Sequence, residues 1–114
     1  MKSTAIAIRE LFDAIDLEDA IEGIKLLAAI DALCLRLDHD LKSKSESFPK
    51  AGYVQEKVEL FRSSCWHALV PQEGTDYKTP DAWMGEAKDS LLKVQFELSG
   101  FCTTATAKAG SLRA

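Results

Sequence analysis

LEDAIEGIKLLAAIDALCLRLDHDL, residues 17–41, decides how the chain must fold. At about 100° per residue, Glu18, Glu22, Lys25, Ala29, Arg36 and Asp40 fall on one narrow strip. Nearly everything else is apolar: Leu17, Ile21, Ile24, Leu26, Leu27, Ile30, Leu33, Cys34, Leu35, Leu37 and Leu41. A helix apolar over more than half its circumference does not lie on a core with its back to water. It must be covered on two or three sides, by its own chain or by another. This segment is the expected central helix.

Reading outward, the remaining sequence supplies three more helices and almost no strand signal. No stretch alternates cleanly, no Asn-Gly or Asp-Gly turn occurs, and Ala, Leu, Glu and Lys dominate. Residues 3–15 carry a stripe of Ile8, Leu11, Phe12 and Ile15, with Ser3 or Thr4 placed to cap it. Asp16 then offers a second N-cap, with Glu18 and Asp19 in the first turn, so a break between two helices is expected there. KSKSESFPKAG, residues 42–52, reads as a polar loop, with Ser47 or Phe48 at the next cap and Pro49 in the first turn. The third helix, about Lys50 to Val70, presents Val54, Val58, Phe61, Cys65, Ala68 and Leu69 on one face, and Pro71 ends it. PQEGTDYK, residues 71–78, reads as a loop. Thr79-Pro80-Asp81 is the strongest helix start in the chain: a cap, a proline at the first helical position and an acid on the dipole. Met84, Ala87, Leu91, Val94 and Leu98 follow at spacings of three and four. Gly100 either closes this helix or is passed through to Phe101 and Cys102. Residues 103–114 have little to bury and are expected to fray.

The predicted architecture is therefore all-α: a small antiparallel bundle of about four helices around a long, mostly apolar central one, formed by residues 1–102 as one domain. A chain of 114 residues has room for one modest core. With 46% apolar and 28% charged residues it has the balance of a soluble globular protein. The net charge of −4 and pI near 5.1 argue against binding a phosphate backbone. No run approaches the ~18 apolar residues of a membrane span, and Arg9, Glu10 and Asp13 interrupt the N-terminal apolar patch before a signal-peptide core forms. A cytoplasmic location is expected. Cys34, Cys65 and Cys102 are widely spaced within apolar helical segments and read as buried thiols of a reducing compartment. His39 and His67 do not complete a zinc ligand set, so neither metal nor cofactor is expected. Asp38-His39-Asp40 reads as a solvated helix end, because adjacent helical residues diverge.

Two features bear on function. RSSCWH, residues 62–67, places Arg62 five positions before His67. This spacing resembles the Arg-x(4–6)-His signature of HEPN-type ribonucleases, small all-helical enzymes that cleave RNA without metal at a dimer interface. The resemblance implies His67 as general acid or base and Arg62 as the group stabilising charge on the cleaved phosphate. On one continuous helix the two side chains stand about 140° apart, so they would meet only across two chains.

The second feature is apolar surface in excess of what four short helices hide. Trp66 stands about 100° from the apolar stripe of its helix, and Leu60 on the other side of that stripe. Leu92 and Phe96 form an i,i+4 pair nearly opposite the Met84–Leu98 seam. Asp31 projects from the apolar side of the central helix, where it needs a basic partner or an edge that reaches water. Excess of this kind marks a protein interface, with Trp66, Leu60, Leu92, Phe96 and Asp31 as partner-binding residues. The expected function is that of a non-enzymatic homodimer that inhibits or sequesters another protein by occluding its surface. Anti-activators, inhibitors and immunity-type proteins of bacteria or phages share this size and charge.

Overall fold

In the computed structural model the described residues are 1–70 and 78–113, with side chains through 100. Among them the chain forms four helices: α1 (Lys2–Asp13), α2 (Ala20–Ser43), α3 (Ala51–Leu69) and α4 (Pro80–Arg113). Each packs on its neighbours in sequence, and α1 also meets α4, closing a ring. Contacts run in opposite order along the α2–α3 and α1–α4 pairs. Asp38 meets Gln55 while Asp31 meets Arg62, and Arg9 of α1 reaches Gln95 while Lys2 lies beside Ser99. The bundle is antiparallel. α1 and α3 touch across its centre, where the Phe12 and Phe61 rings meet edge to face at 5.4 Å.

Local chemistry sets most helix ends. Thr79 caps α4, its hydroxyl accepting from the Ala82 N–H at 3.2 Å and its carbonyl from the Trp83 N–H at 3.0 Å. α3 ends one residue before Val70-Pro71. The expected break between α1 and α2 is present, but the cap of α2 is Asp19, which accepts from the Glu22 N–H at 3.2 Å. Asp16 instead shapes the connecting turn by accepting from the Glu18 N–H at 2.9 Å. An Asp carboxylate serves either role, and the two are three residues apart. α1 starts at Lys2 with Met1 at its cap position, and Lys50 takes that position for α3, neither with a side-chain cap bond. Ser3, Thr4 and Ser47 thus do not act as caps. Phe48 is buried in the core and anchors the α2–α3 connection, so that loop is not wholly polar. The α4 backbone passes through Gly100 and is helical to Arg113. The loop 71–77 and the side chains of the tail 103–114 lie outside the described residues.

The core follows the expected seams. Ile8 and Phe12 come from α1; Val54, Val58, Phe61, Cys65, Ala68 and Leu69 from α3; and Ala87, Leu91, Val94 and Leu98 from α4, with Met84 at the margin. α2 behaves differently. Its buried residues are Gly23, Leu27, Ile30, Cys34, Leu37 and Leu41, one seam at spacings of four and three. Gly23 stands where α3 ends against α2: a Cβ there would lie 2.8 Å from a Leu69 methyl. The breadth of apolar α2 surface is not covered. Ile21 is 74% exposed and Leu35 61%, with Ile24 open beside them.

Leu37 has no exposed surface, so Leu37→Ala removes fully packed methyls. We expect it to lower the unfolding free energy by about 2–5 kcal/mol, read as a lower urea midpoint at unchanged m-value.

Candidate functional site

At the α2–α3 edge, Asp31 is held by two donors from one face of α3. Arg62 Nε donates to Oδ1 at 3.1 Å and Trp66 Nε1 to Oδ2 at 3.1 Å. Arg62 and Trp66 are one helical turn apart, so both reach a single carboxylate. Arg62 Nη1 also donates to Glu59 at 3.2 Å. Seven residues on, Asp38 accepts from Gln55 Nε2 at 3.0 Å and pairs with Lys42 at 3.2 Å. The rungs stand one heptad apart on both helices and hold the antiparallel register. The Arg62 guanidinium loses some solvation, yet its hydrogen bond to Asp31 and the Asp31 and Glu59 charges raise its pKa.

This geometry answers the question that Asp31 posed: its basic partner is Arg62, and the indole N–H of Trp66 completes the set. Trp66 therefore directs its polar atom inward and leaves its ring 37% exposed, in a shallow depression with Ser63, His67 and Val70. His67 turns to the opposite flank of α3. Its ring stacks on Trp83 of α4, centroids 4.5 Å apart, and Lys78 Nζ lies 4.7 Å from the same indole. Arg62 thus faces α2 while His67 faces α4, and one chain does not bring them together.

The α4 surface gathers the other exposed apolar groups. Phe96 is 75% exposed and Leu92 46%. They share an open depression with Tyr53 of α3, Asp89 and Lys93. Gln95 and Ser99 continue this surface to a smaller hollow lined by Lys2 and Ile6 of α1. Leu60 is exposed on α3 but stands about 120° round the helix from Trp66. Leu60 apart, the partner-binding residues expected from sequence divide between a clamp on the α2–α3 edge, Asp31 and Trp66, and an apolar face on α4, Leu92 and Phe96. Ile6, Ile21, Ile24, Leu35, Tyr53 and Val70 are exposed apolar side chains that the sequence reading did not select. For α2 a signal existed. Once Gly23, Leu27, Ile30, Cys34, Leu37 and Leu41 are taken as the seam, Ile21, Ile24 and Leu35 are left outside it.

Cys34 and Cys65 are buried and unpaired as thiols. Burial pushes each pKa up to about 12, with the Arg62 charge opposing this at Cys34. Cys102 lies outside the described residues. Among the described residues no group of three or more His, Cys, Asp or Glu is placed to hold a metal ion, and no helix is long and apolar enough to cross a membrane. Comparison with protein-family models, curated proteins and solved structures finds no match.

Two measurements follow from this geometry. Asp31→Ala leaves Arg62 with only the exposed Glu59 carboxylate and Trp66 without its acceptor. Because both ionic side chains are partly solvated, we expect a loss of about 1–2 kcal/mol, and a double-mutant cycle with Trp66→Phe that shows coupling above about 0.5 kcal/mol. Rising from 9.0 to about 12, the thiol pKa values leave about a thousandfold less thiolate at pH 8. A Cys102→Ser variant should therefore react with Ellman's reagent only after guanidinium unfolding, and then at two thiols.

Proposed function

We propose that this chain is a small acidic helical interaction protein, homodimeric and cytoplasmic, that inhibits or sequesters another protein by covering a surface the target needs. The observation that carries this reading is Phe96, three-quarters exposed beside Leu92 on the outer face of α4. A large aromatic ring left in water on a rigid helix is costly to solvate and is the kind of anchor that dominates interfaces. Leu92 lies one turn before it, and Tyr53 and Ile6 extend the apolar ground on either side. Asp89, Lys93, Gln95 and Ser99 give this patch a polar rim, the usual arrangement around an interface core. The net charge of −4 suits a basic target surface, and an acidic chain can also compete with nucleic acid for a basic groove. Occlusion needs no reacting group, which agrees with Arg62 and His67 being engaged on opposite flanks of α3.

The test uses tagged protein as bait in its native host, with wild type and Phe96→Asp compared. The expected result is a protein that co-purifies with wild type, is lost with Phe96→Asp, and has its own activity blocked by purified wild-type chain. Titration of that target should show Phe96→Asp weakening binding by about thirty-fold or more, the ~2 kcal/mol of a hot-spot residue. Targets that bind Phe96→Asp as tightly as wild type would overturn this reading.

A further inference from the structure

The outward face of α2 carries a pattern that the bundle does not use. Ile21, Ile24, Ala28, Ala32 and Leu35 are all exposed and follow one another at spacings of three, four, four and three. They lie within about 40° of a common line along the helix. Reversing the helix about Ala28 exchanges Ile21 with Leu35 and Ile24 with Ala32, and returns Ala28 to itself. An interface between two identical chains related by a twofold axis requires this property, since residue i must meet j while j meets i. Small residues at the middle let two helices approach closely, and the branched side chains toward the ends then interlock around them. We infer that this face of α2 packs antiparallel against the same face of a second copy, with the twofold axis at Ala28. This rests on the homodimeric part of the reading above and assigns it a surface separate from Phe96.

Charge placement agrees with a second copy as the occupant. Between Ile21 and Leu35 the charged residues closest to the centre line are Lys25 and Asp31, about 60° to either side. Asp31 is already neutralised within its own chain by Arg62. In an antiparallel pair each flank meets its own equivalent. On the Lys25 flank, Glu22 stands six residues before Ala28 and Arg36 eight after it. Glu22 of each copy therefore comes opposite Arg36 of the other, giving two oppositely charged pairs per dimer. On the other flank, Trp66 is tied by Asp31 beside the middle of α2, and its exposed ring widens the apolar surface near the axis.

The area suits a modest dimer. Ile21 to Leu35 spans about 21 Å of helix. With Trp66 and Val70 beside it, this strip offers on the order of 500 Å² per copy, and about 1,000 Å² for the pair, the size at which specific interfaces begin.

Sedimentation equilibrium of the purified full chain across a concentration series tests the inference. The expected result is a monomer–dimer equilibrium whose dissociation constant rises at least about a hundredfold in Leu35→Asp, with circular dichroism and melting temperature retained. Position-specific cross-linking in a Cys102→Ser background provides the register. Ala28→Cys should form a disulfide-linked dimer under mild oxidation. Ile21→Cys alone should not, but a mixture of Ile21→Cys and Leu35→Cys chains should link. A monomer at every concentration, a dimer that Leu35→Asp leaves intact, or cross-linking of Ile21→Cys to itself but not to Leu35→Cys would each overturn the inference. Phe96→Asp should leave the dimer unchanged, so failure of partner capture and failure of dimerisation are read separately.

Discussion

The constraint behind this structure is the width of apolar surface on α2. A single helix in a small bundle can bury one seam against its neighbours, and here that seam is Leu27, Ile30, Cys34, Leu37 and Leu41. Hydrophobic burial is non-directional, so it rewards covering any apolar side chain but does not choose which. Steric geometry makes the choice. α1 has half the residues of α2, and α3 approaches from one flank only, with Gly23 letting its end come close. The remainder of the apolar surface, Ile21, Ile24 and Leu35, stays in water.

Polar contacts decide how the helices slide against one another. Apolar seams with regular repeats pack almost as well when shifted by a heptad, because similar side chains then meet similar holes. Asp31 with Arg62 and Trp66, and Asp38 with Gln55, break that degeneracy at the α2–α3 edge. A heptad shift in one direction would leave the partly buried Asp31 without donors, a penalty above the modest net gain of the bonds themselves, and in the other would exchange Arg62 and Trp66 for Gln55 alone. Arg9 does similar work between α1 and α4 by joining Asp13 and Gln95. The same contacts direct chemistry inward. The Arg62 guanidinium and the Trp66 N–H serve the bundle, His67 serves the α3–α4 contact, and Cys34 and Cys65 are suppressed as nucleophiles by burial.

Helix boundaries were largely legible from residues 1–100 because they are local events. Thr79-Pro80-Asp81 caps a helix wherever it occurs, Val70-Pro71 ends one, and acids near 16–19 interrupt one. Where two candidate caps stood three residues apart, as at Asp16 and Asp19, the pattern located the break but not the cap. Helical periodicity likewise identified the buried faces of α3 and α4, since each carries one clear seam. Phe48 was missed because an aromatic residue in a polar connection carries no periodic signal.

The order of the helices, the all-α class and the seams of α3 and α4 thus follow from hydrogen bonds and spacings that act within a few residues. Three matters depended on neighbours distant in the chain. They are the apolar side of α2 that is buried, the partner of Asp31, and the stacking of His67 on Trp83. Burial and ion pairing are properties of what comes to lie alongside a residue, and a periodic pattern that is apolar nearly all round gives no preferred direction from which a neighbour should approach.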